Sequence, residues 1–166
     1  MKFSATFKSV LAATALGCLV LGLATTPAVA ATATTTFQVT ATIQSTCVVS
    51  ATAMGFGTYT AVVATSSSTV TVTCTNTTPY TVGLDAGGGG GTVTTRKMTG
   101  PGGALLNYSL YSDSGRTTNW GNTTGSWVSG TGDGSAQALT VYGQVAAGQY
   151  LAPGSYADTI TATVTY

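Results

Sequence analysis

The chain lacks the residue types on which most enzyme active sites depend. Its 166 residues include no histidine, and all four acidic residues are aspartates, so glutamate is absent as well. Histidine-based triads and glutamate general acids are therefore excluded. The sequence also has no Cys-x-x-Cys pair and no dense run of oxygen ligands, so it offers no pattern for a zinc, redox or calcium site. We predict that the protein is not an enzyme and uses no cofactor or metal.

Charge is scarce too, because only 5% of the residues are charged. If residues 1–30 are removed as argued below, three cations remain against four aspartates, a net charge of 3 − 4 = −1. No basic patch could hold phosphates, which excludes nucleic acid as a partner. Solubility must rest on Thr, Ser, Asn and Gly, a composition typical of an exported surface protein.

Residues 1–30 have the organisation of a secretory signal peptide. Two lysines precede an apolar run over residues 10–24, and an Ala-Val-Ala sequence at residues 28–30 supplies a small-x-small cleavage site. The run is short for a membrane span and no second one follows, so we predict no membrane span in the mature form. Lipidation of Cys18 is an alternative, but Ala15 stands where a lipoprotein signal would need an aliphatic residue.

The mature chain keeps two cysteines, Cys47 and Cys74, separated by 27 positions. An even pair in an exported chain predicts a disulfide. In the chain-entropy description, closing a loop of this length stabilises the fold by about 3.5 kcal/mol. That is a large share of the stability of a small domain.

Residues 34–45 alternate between apolar and polar side chains, with Phe37, Val39, Ala41 and Ile43 on one side. Because successive side chains of a strand point to opposite faces, this pattern predicts a strand with one apolar face. Cys47 would close this strand. The disulfide would then join it to a second strand, predicted over residues 69–74.

The rest of the chain is typical of short strands and turns, without helical periodicity, and predicts an all-β sandwich. The last strand places Ile160, Ala162, Val164 and Tyr166 on one face. Further strands are expected over residues 80–85, 96–98, 106–111, 137–145 and 156–166.

Several other stretches are interpreted as structural. The glycines at 87–91 indicate a flexible loop rather than a phosphate cradle, since no helix follows them. Residues 65–68 and 122–135 are expected to be linker and loop. Arg96 and Lys97 would discourage pairing at a sheet edge. Aromatic residues at 108, 111 and 120 fit a core better than a sugar-stacking surface.

Taken together, these residues resemble the spore coat protein U domain, the subunit domain of archaic (Csu-type) chaperone–usher pili. The resemblance spans the mature chain and rests on the order and number of its short motifs. They are an alternating strand that ends at Cys47, Met54-Gly55-Phe56-Gly57-x-Tyr59, Val70-x-Val72-x-Cys74-Thr75, Pro79-Tyr80-x-Val82-x-Leu84, Arg96-Lys97-Met98, Leu106-Asn107-Tyr108-x-Leu110-Tyr111, Trp120-Gly121 and Gly154-x-Tyr156-x-Asp158-x-Ile160-x-Ala162-x-Val164-x-Tyr166.

The resemblance implies an incomplete immunoglobulin-like β-sandwich that is completed by a donated strand. Such subunits lack a final strand, and a periplasmic chaperone and then the next subunit fill the groove at the outer-membrane usher. In this chain the donor residues would be Phe37, Val39, Ala41 and Ile43. The strand that contains Ile160, Ala162, Val164 and Tyr166 would flank the groove, with no residue after Tyr166 to close it. The alternating pattern alone favours an ordinary first strand of a self-contained sandwich.

The expected organisation is a signal peptide at 1–30, a donor segment at 31–45 and a sandwich domain at 46–166. The expected function is a structural pilus subunit for adhesion or biofilm formation, secreted through the periplasm to the cell surface. Its partners would be copies of itself or related pilins, the chaperone and the usher. The alternatives are a secreted adhesin or carbohydrate-binding module, and a spore-coat or matrix protein that does not form pili.

Overall fold

The computed structural model describes residues 29–166, so the predicted signal peptide lies outside the described residues except for Val29 and Ala30. Two units are present, one that ends at Thr40 and one that spans Ala41–Tyr166. All the regular structure of residues 29–166 lies in the second unit. Its elements are β1 (Cys47–Ala51), β2 (Ala64–Cys74), β3 (Pro79–Leu84), β4 (Arg96–Thr99), a 3₁₀ turn η1 (Pro101–Gly103), β5 (Leu105–Tyr111), β6 (Val128–Thr131), β7 (Ala136–Val145) and β8 (Ala162–Thr165).

The strands form two antiparallel sheets, which confirms the all-β fold. The larger sheet has the order β1-β2-β7-β5-β4, and the smaller has the order β6-β3-β8. Strands β2 and β7 pair along ten residues, from Ala64 opposite Val145 to Thr73 opposite Ala136. One cluster of buried apolar side chains draws on both sheets, including Val72 of β2 and Val82 of β3, each fully buried.

The alternating segment at residues 34–45 does not form a strand in this chain. Residues 29–46 adopt no regular structure, and Cys47 begins β1 rather than closing an earlier strand. The interpretation of this segment as the ordinary first strand of a self-contained sandwich is therefore wrong. Periodicity indicates that a segment suits a strand, but pairing requires a partner edge, which the pattern does not supply.

Three strand boundaries differ from those expected. The supposed linker at 65–68 belongs to β2, because its serines and threonine pair with residues 141–144 of β7. β6 lies inside the supposed loop at 122–135 and is held by its pairing with β3. The last strand is short, since only Ala162–Thr165 pair with β3. In each case the neighbouring strand decides the boundary rather than local propensity.

Arg96 lies in the edge strand β4, but its guanidinium is completely buried. It donates hydrogen bonds to the carbonyl oxygens of Asp85 (2.8 Å), Val93 (2.6 Å), Leu84 (3.0 Å) and Trp120 (2.8 Å). The expectation that this cation shields the sheet edge is therefore wrong. It ties the end of β3 to two loops, because five fixed donors let one arginine satisfy several carbonyl groups.

The glycine-rich loop is closely packed rather than open. Gly87 has a φ of 75°, a backbone value that residues other than glycine seldom adopt. The Gly88 N–H donates to Asp158 Oδ1 (2.8 Å), and a Cβ on Gly89 would overlap the carbonyl oxygen of Lys97. The glycines thus permit close approach of the loop to its neighbours.

Cys47 and Cys74 form the predicted disulfide. The two residues face each other in the register between β1 and β2, with their Cα atoms 4.1 Å apart. The bond therefore fixes the edge strand β1 to its only neighbour in the sheet.

Removal of this disulfide should destabilise the domain. In a Cys47→Ala, Cys74→Ala double variant we expect a loss of about 3.5 kcal/mol in the free energy of unfolding, because the unfolded chain regains the entropy of the closed loop. Urea titrations at neutral pH, with and without reductant, would measure this. Equal midpoints for the oxidised protein and the double variant would contradict the prediction.

Candidate functional site

An apolar cleft of about 410 Å³ opens between the facing edges of the two sheets. Four core side chains lie among its walls, namely Val70, Leu84, Leu110 and Val141, each no more than 4% exposed. On one side the cleft is bounded by residues 51–56, which follow β1. The core of the domain is thus reachable through a gap between strands.

The strands on either side of this gap each have one unpaired edge. Within residues 29–166, β1 pairs only with β2, and β8 pairs only with β3. Each edge therefore presents backbone N–H and C=O groups that have no strand partner. An extended segment is the natural ligand for such an edge, because main-chain hydrogen bonds provide affinity and alternate side chains provide specificity.

Two of the four predicted groove-edge residues line this cleft, and only two of the four are in a strand. Ala162 and Val164 are in β8, whereas Ile160 precedes it and Tyr166 follows it. Ile160 and Ala162 line the cleft, and both are half-buried. Val164 packs against the core, while Tyr166 is 57% exposed.

Asp85, just after β3, anchors the segment that leads into β8. Its Oδ1 accepts hydrogen bonds from the N–H groups of Thr161 (2.9 Å) and Gly87 (3.1 Å). Burial by itself would raise the pKa of Asp85. The hydrogen bonds from Thr161 and Gly87 and the charge of Arg96 outweigh it, so the pKa lies below its ordinary value. The ionised carboxylate is thus the form that the fold favours.

A second carboxylate lines the cleft itself. Asp158 Oδ2 accepts a hydrogen bond from the Tyr108 hydroxyl (2.7 Å), and its Oδ1 accepts from the N–H groups of Gly88 and Thr159 (each 2.8 Å). Burial and then the hydrogen bond to Asp158 raise the pKa of Tyr108 far above its usual range. Tyr108 is therefore a neutral donor that joins β5 to Asp158.

The predicted donor residues are exposed. Phe37, Val39 and Ile43 are 86%, 81% and 87% exposed, and Ala41 is exposed as well. Isolated exposed apolar residues are common, but a strand-length row of them at every second position is not. In the single chain the apolar side chains of this row are therefore in contact with water.

Residues 51–56 form one wall of the cleft, a role that the sequence did not reveal. Met54 and Phe56 are half-buried against the core, and a Cβ on Gly143 would overlap the sulfur of Met54. The alternation of large and small residues in Met-Gly-Phe-Gly was a usable signal. This alternation is typical of a segment that packs its large side chains against a sheet without forming a strand of that sheet.

Other candidate sites find little support among residues 29–166. Tyr108 and Trp120 are buried, and the indole N–H of Trp120 donates to the Val82 carbonyl (2.8 Å), so these aromatics form core rather than a sugar-stacking surface. No cluster of three or more potential metal ligands occurs in this part of the chain. The described residues also contain no helix long and apolar enough to cross a membrane.

The lowered pKa of Asp85 predicts a dependence of stability on acid pH. Its contribution is fully present above the pKa of the unfolded state, about 4, and is lost as the pH falls through the lower pKa of the folded state. An Asp85→Asn variant should therefore be less stable at pH 7 and should lose less stability on acidification than the parent. Urea unfolding at several pH values would measure both effects.

A Thr163→Ala variant is the matched control, because Thr163 lies on the exposed face of β8. It should keep the acid dependence of the parent. If the Asp85→Asn variant kept the same dependence, this anchoring role of the carboxylate would be refuted.

Comparison with known proteins identifies related sequences over most of the chain. The family model for the Spore Coat Protein U domain matches residues 33–163, a range that includes both the alternating segment and the sandwich. Protein U of Myxococcus xanthus is 36% identical over 158 residues, covering 84% of this chain and 88% of that protein.

A solved structure has a similar fold. It is the crystal structure of the CsuC-CsuE chaperone-tip adhesion subunit pre-assembly complex from the archaic chaperone-usher Csu pili of Acinetobacter baumannii. The match has a TM-score of 0.58 at 22% sequence identity and covers 75% of this chain. This chain spans only 41% of the length of the matched chain.

Proposed function

Because this chain belongs to the Spore Coat Protein U domain family, we propose that it is a structural subunit of a chaperone–usher pilus, polymerising by donor-strand exchange. The observation that carries the proposal is the apolar cleft between the unpaired edges of β1 and β8. Such a cleft places apolar core side chains next to backbone hydrogen-bonding groups that have no strand partner. An added strand satisfies both.

The chain itself contains a segment that fits this requirement. Phe37, Val39, Ala41 and Ile43 present an apolar face, while the intervening residues are polar. At about 1.5–3 kcal/mol for each large side chain, burying the three larger ones contributes at most about 9 kcal/mol, before any ladder hydrogen bonds. The segment of one subunit would fill the cleft of the next, with Ile160, Ala162, Val164 and Tyr166 along the edge that receives it.

This contact joins different surfaces of identical subunits and does not close on itself, so it generates a fibre. Before assembly, a periplasmic chaperone would lend a strand to the same cleft, and an outer-membrane usher would catalyse the exchange. The subunit would thus pass through the periplasm and become part of a surface pilus used in adhesion or biofilm formation. Residues 31–45 act as donor and residues 46–166 as acceptor domain, a structural role without catalysis.

The donor role is tested by one apolar-to-charged change. Val39→Asp should abolish polymer, because a carboxylate would be buried without a partner in the apolar cleft. Thr40→Asp is the matched control, since its side chain points away from the apolar face and polymer should persist. Chains co-expressed with the cognate chaperone and usher would be compared by unheated denaturing gels and electron microscopy.

Deletion of residues 31–44 should likewise leave a chaperone-bound subunit that does not polymerise. Normal polymer from the deleted chain or from Val39→Asp would sink the donor assignment. Equal loss of polymer in Val39→Asp and Thr40→Asp would show that charge alone, rather than the buried face, is responsible.

The acceptor role is tested at Ala162, a half-buried residue of β8 that lines the cleft. Ala162→Arg should occupy the cleft with a bulky cation and lower both chaperone-bound yield and polymer. Thr163→Arg, on the outer face, should leave both unchanged. A polymer yield that is the same in the two variants would argue against a strand seated beside β8.

A second candidate function is a coat or matrix protein that never meets an usher. The likeness to Protein U over 88% of that protein favours it, as does the name of the family. Chaperone and usher genes beside the gene for this chain would support the pilus; their absence from the genome would support the coat protein.

A further inference from the structure

The two ends of the sandwich differ in chemistry. At one end, here called the near end, the chain enters β1 at Cys47 beside Cys74, and the adjoining residues 75–78 are mostly polar. At the other, the far end, Ala64 of β2 pairs with Val145 of β7. Because β2 has 11 residues, the ends lie about 33 Å apart.

Four exposed apolar side chains gather at the far end and are here called the far-end patch. Two of them immediately precede β2 and two lie five and six positions beyond the end of β7, and a hydrogen bond from the Gly148 N–H to the Ala61 carbonyl (2.9 Å) joins the two segments. The exposed fractions are 64% for Val62, 51% for Val63, 87% for Tyr150 and 40% for Leu151.

The far-end patch is continuous with the strand-accepting cleft. A second cleft of about 790 Å³ is lined by Tyr150 and Leu151 and by Ala61. It shares Met54, Phe56, Met98 and Tyr156 with the first cleft. The two clefts therefore adjoin along these shared residues, and together, here called the channel, they extend from beside β8 to the far-end patch.

We propose that the far-end patch is a docking surface for the near end of the next copy of this chain. The inference rests on the proposed function and on the length of one connection. Only residues 44–46 separate Ile43, the last apolar donor residue, from Cys47, where β1 begins. Four residue steps span at most about 14 Å, so the donor's domain lies directly against the end of the channel from which Ile43 emerges.

The direction of the donated strand decides from which end of the channel Ile43 emerges. The channel runs from Ala162, which pairs with Leu84 at the end of β3 remote from the near end, to Tyr150 at the far end, whereas β8 itself runs toward the near end. A strand antiparallel to β8 runs the same way as the channel and delivers Ile43 to the far-end patch. A parallel strand would deliver it to the near end, where the acceptor's own chain enters β1. Antiparallel pairing is also the more stable arrangement.

The contact explains why apolar side chains remain exposed at this end. The near end of the arriving subunit offers Val48, which is 69% exposed in edge strand β1, as an apolar partner. Packing against it adds a second, smaller interface to the donated strand. Without such an interface, neighbouring domains joined by a short connection would be expected to move independently.

The proposal is tested by photo-cross-linking from the far-end patch. Tyr150 is replaced with p-benzoylphenylalanine in the full chain, and fibres are assembled from mixed isotope-labelled and unlabelled subunits. We expect cross-links between different chains, from position 150 to peptides containing residues 44–52. They should be absent from the chaperone-bound subunit. Cross-links to any other region, or none in intact fibres, would overturn the docking surface.

A pair of variants separates this proposal from donor-strand exchange. Tyr150→Ser combined with Leu151→Ser should leave fibres intact but lower their persistence length at least roughly twofold. Trp127→Ser is the control, because it also replaces an apolar side chain with a polar one but lies outside the patch, where Trp127 is 37% exposed. This variant should leave the persistence length unchanged. Unaltered stiffness in the double variant refutes the docking surface alone. Failure of the parent chain to form fibres refutes both proposals.

Discussion

The unpaired edge of β8 is the constraint on which the rest of the structure depends. The smaller sheet ends at β8, and the cleft opens beside it. Four core residues line this cleft, namely Val70, Leu84, Leu110 and Val141, and no strand of residues 29–166 fills it. Neither the disulfide nor the buried guanidinium closes that gap. Their effect is to hold its two walls rigid, one at β1 and the other through the end of β3.

A rigid gap has energetic consequences. If β1 and β8 could collapse together, the core would close and an added strand would gain little. Cys47 is fixed to Cys74, while Arg96 and Asp85 fix the segments beside Leu84 and Thr161. These contacts oppose closure of the gap, so in the proposed assembly the free energy of filling it would be available for binding a strand. We regard this preorganisation as the physical basis of the proposed assembly.

Several polar and charged residues contribute hydrogen bonds to this architecture. Arg96, Asp85, Asp158 and Tyr108 are all engaged by hydrogen bonds within the fold. Most of the Thr and Ser residues of β2, and Thr140 of β7, lie on the face of the larger sheet opposite Val70 and Val72, whereas Ser66 and Ser68 share the face of these two valines. This division leaves the apolar residues at 37–43 and 150–151 as the surfaces on which contacts between subunits would form.

The sequence by itself determined the fold class, the disulfide and the alternating segment, because each depends on local periodicity or on residue type. Tertiary structure alone decided that residues 34–45 pair with no strand, that β6 exists, and that only Ala162–Thr165 of the last stretch join a sheet. It also decided that Arg96 turns inward and that Met54 and Phe56 wall the cleft. These outcomes depend on which edges and carbonyl groups lie nearby in space, and a one-dimensional pattern does not contain that information.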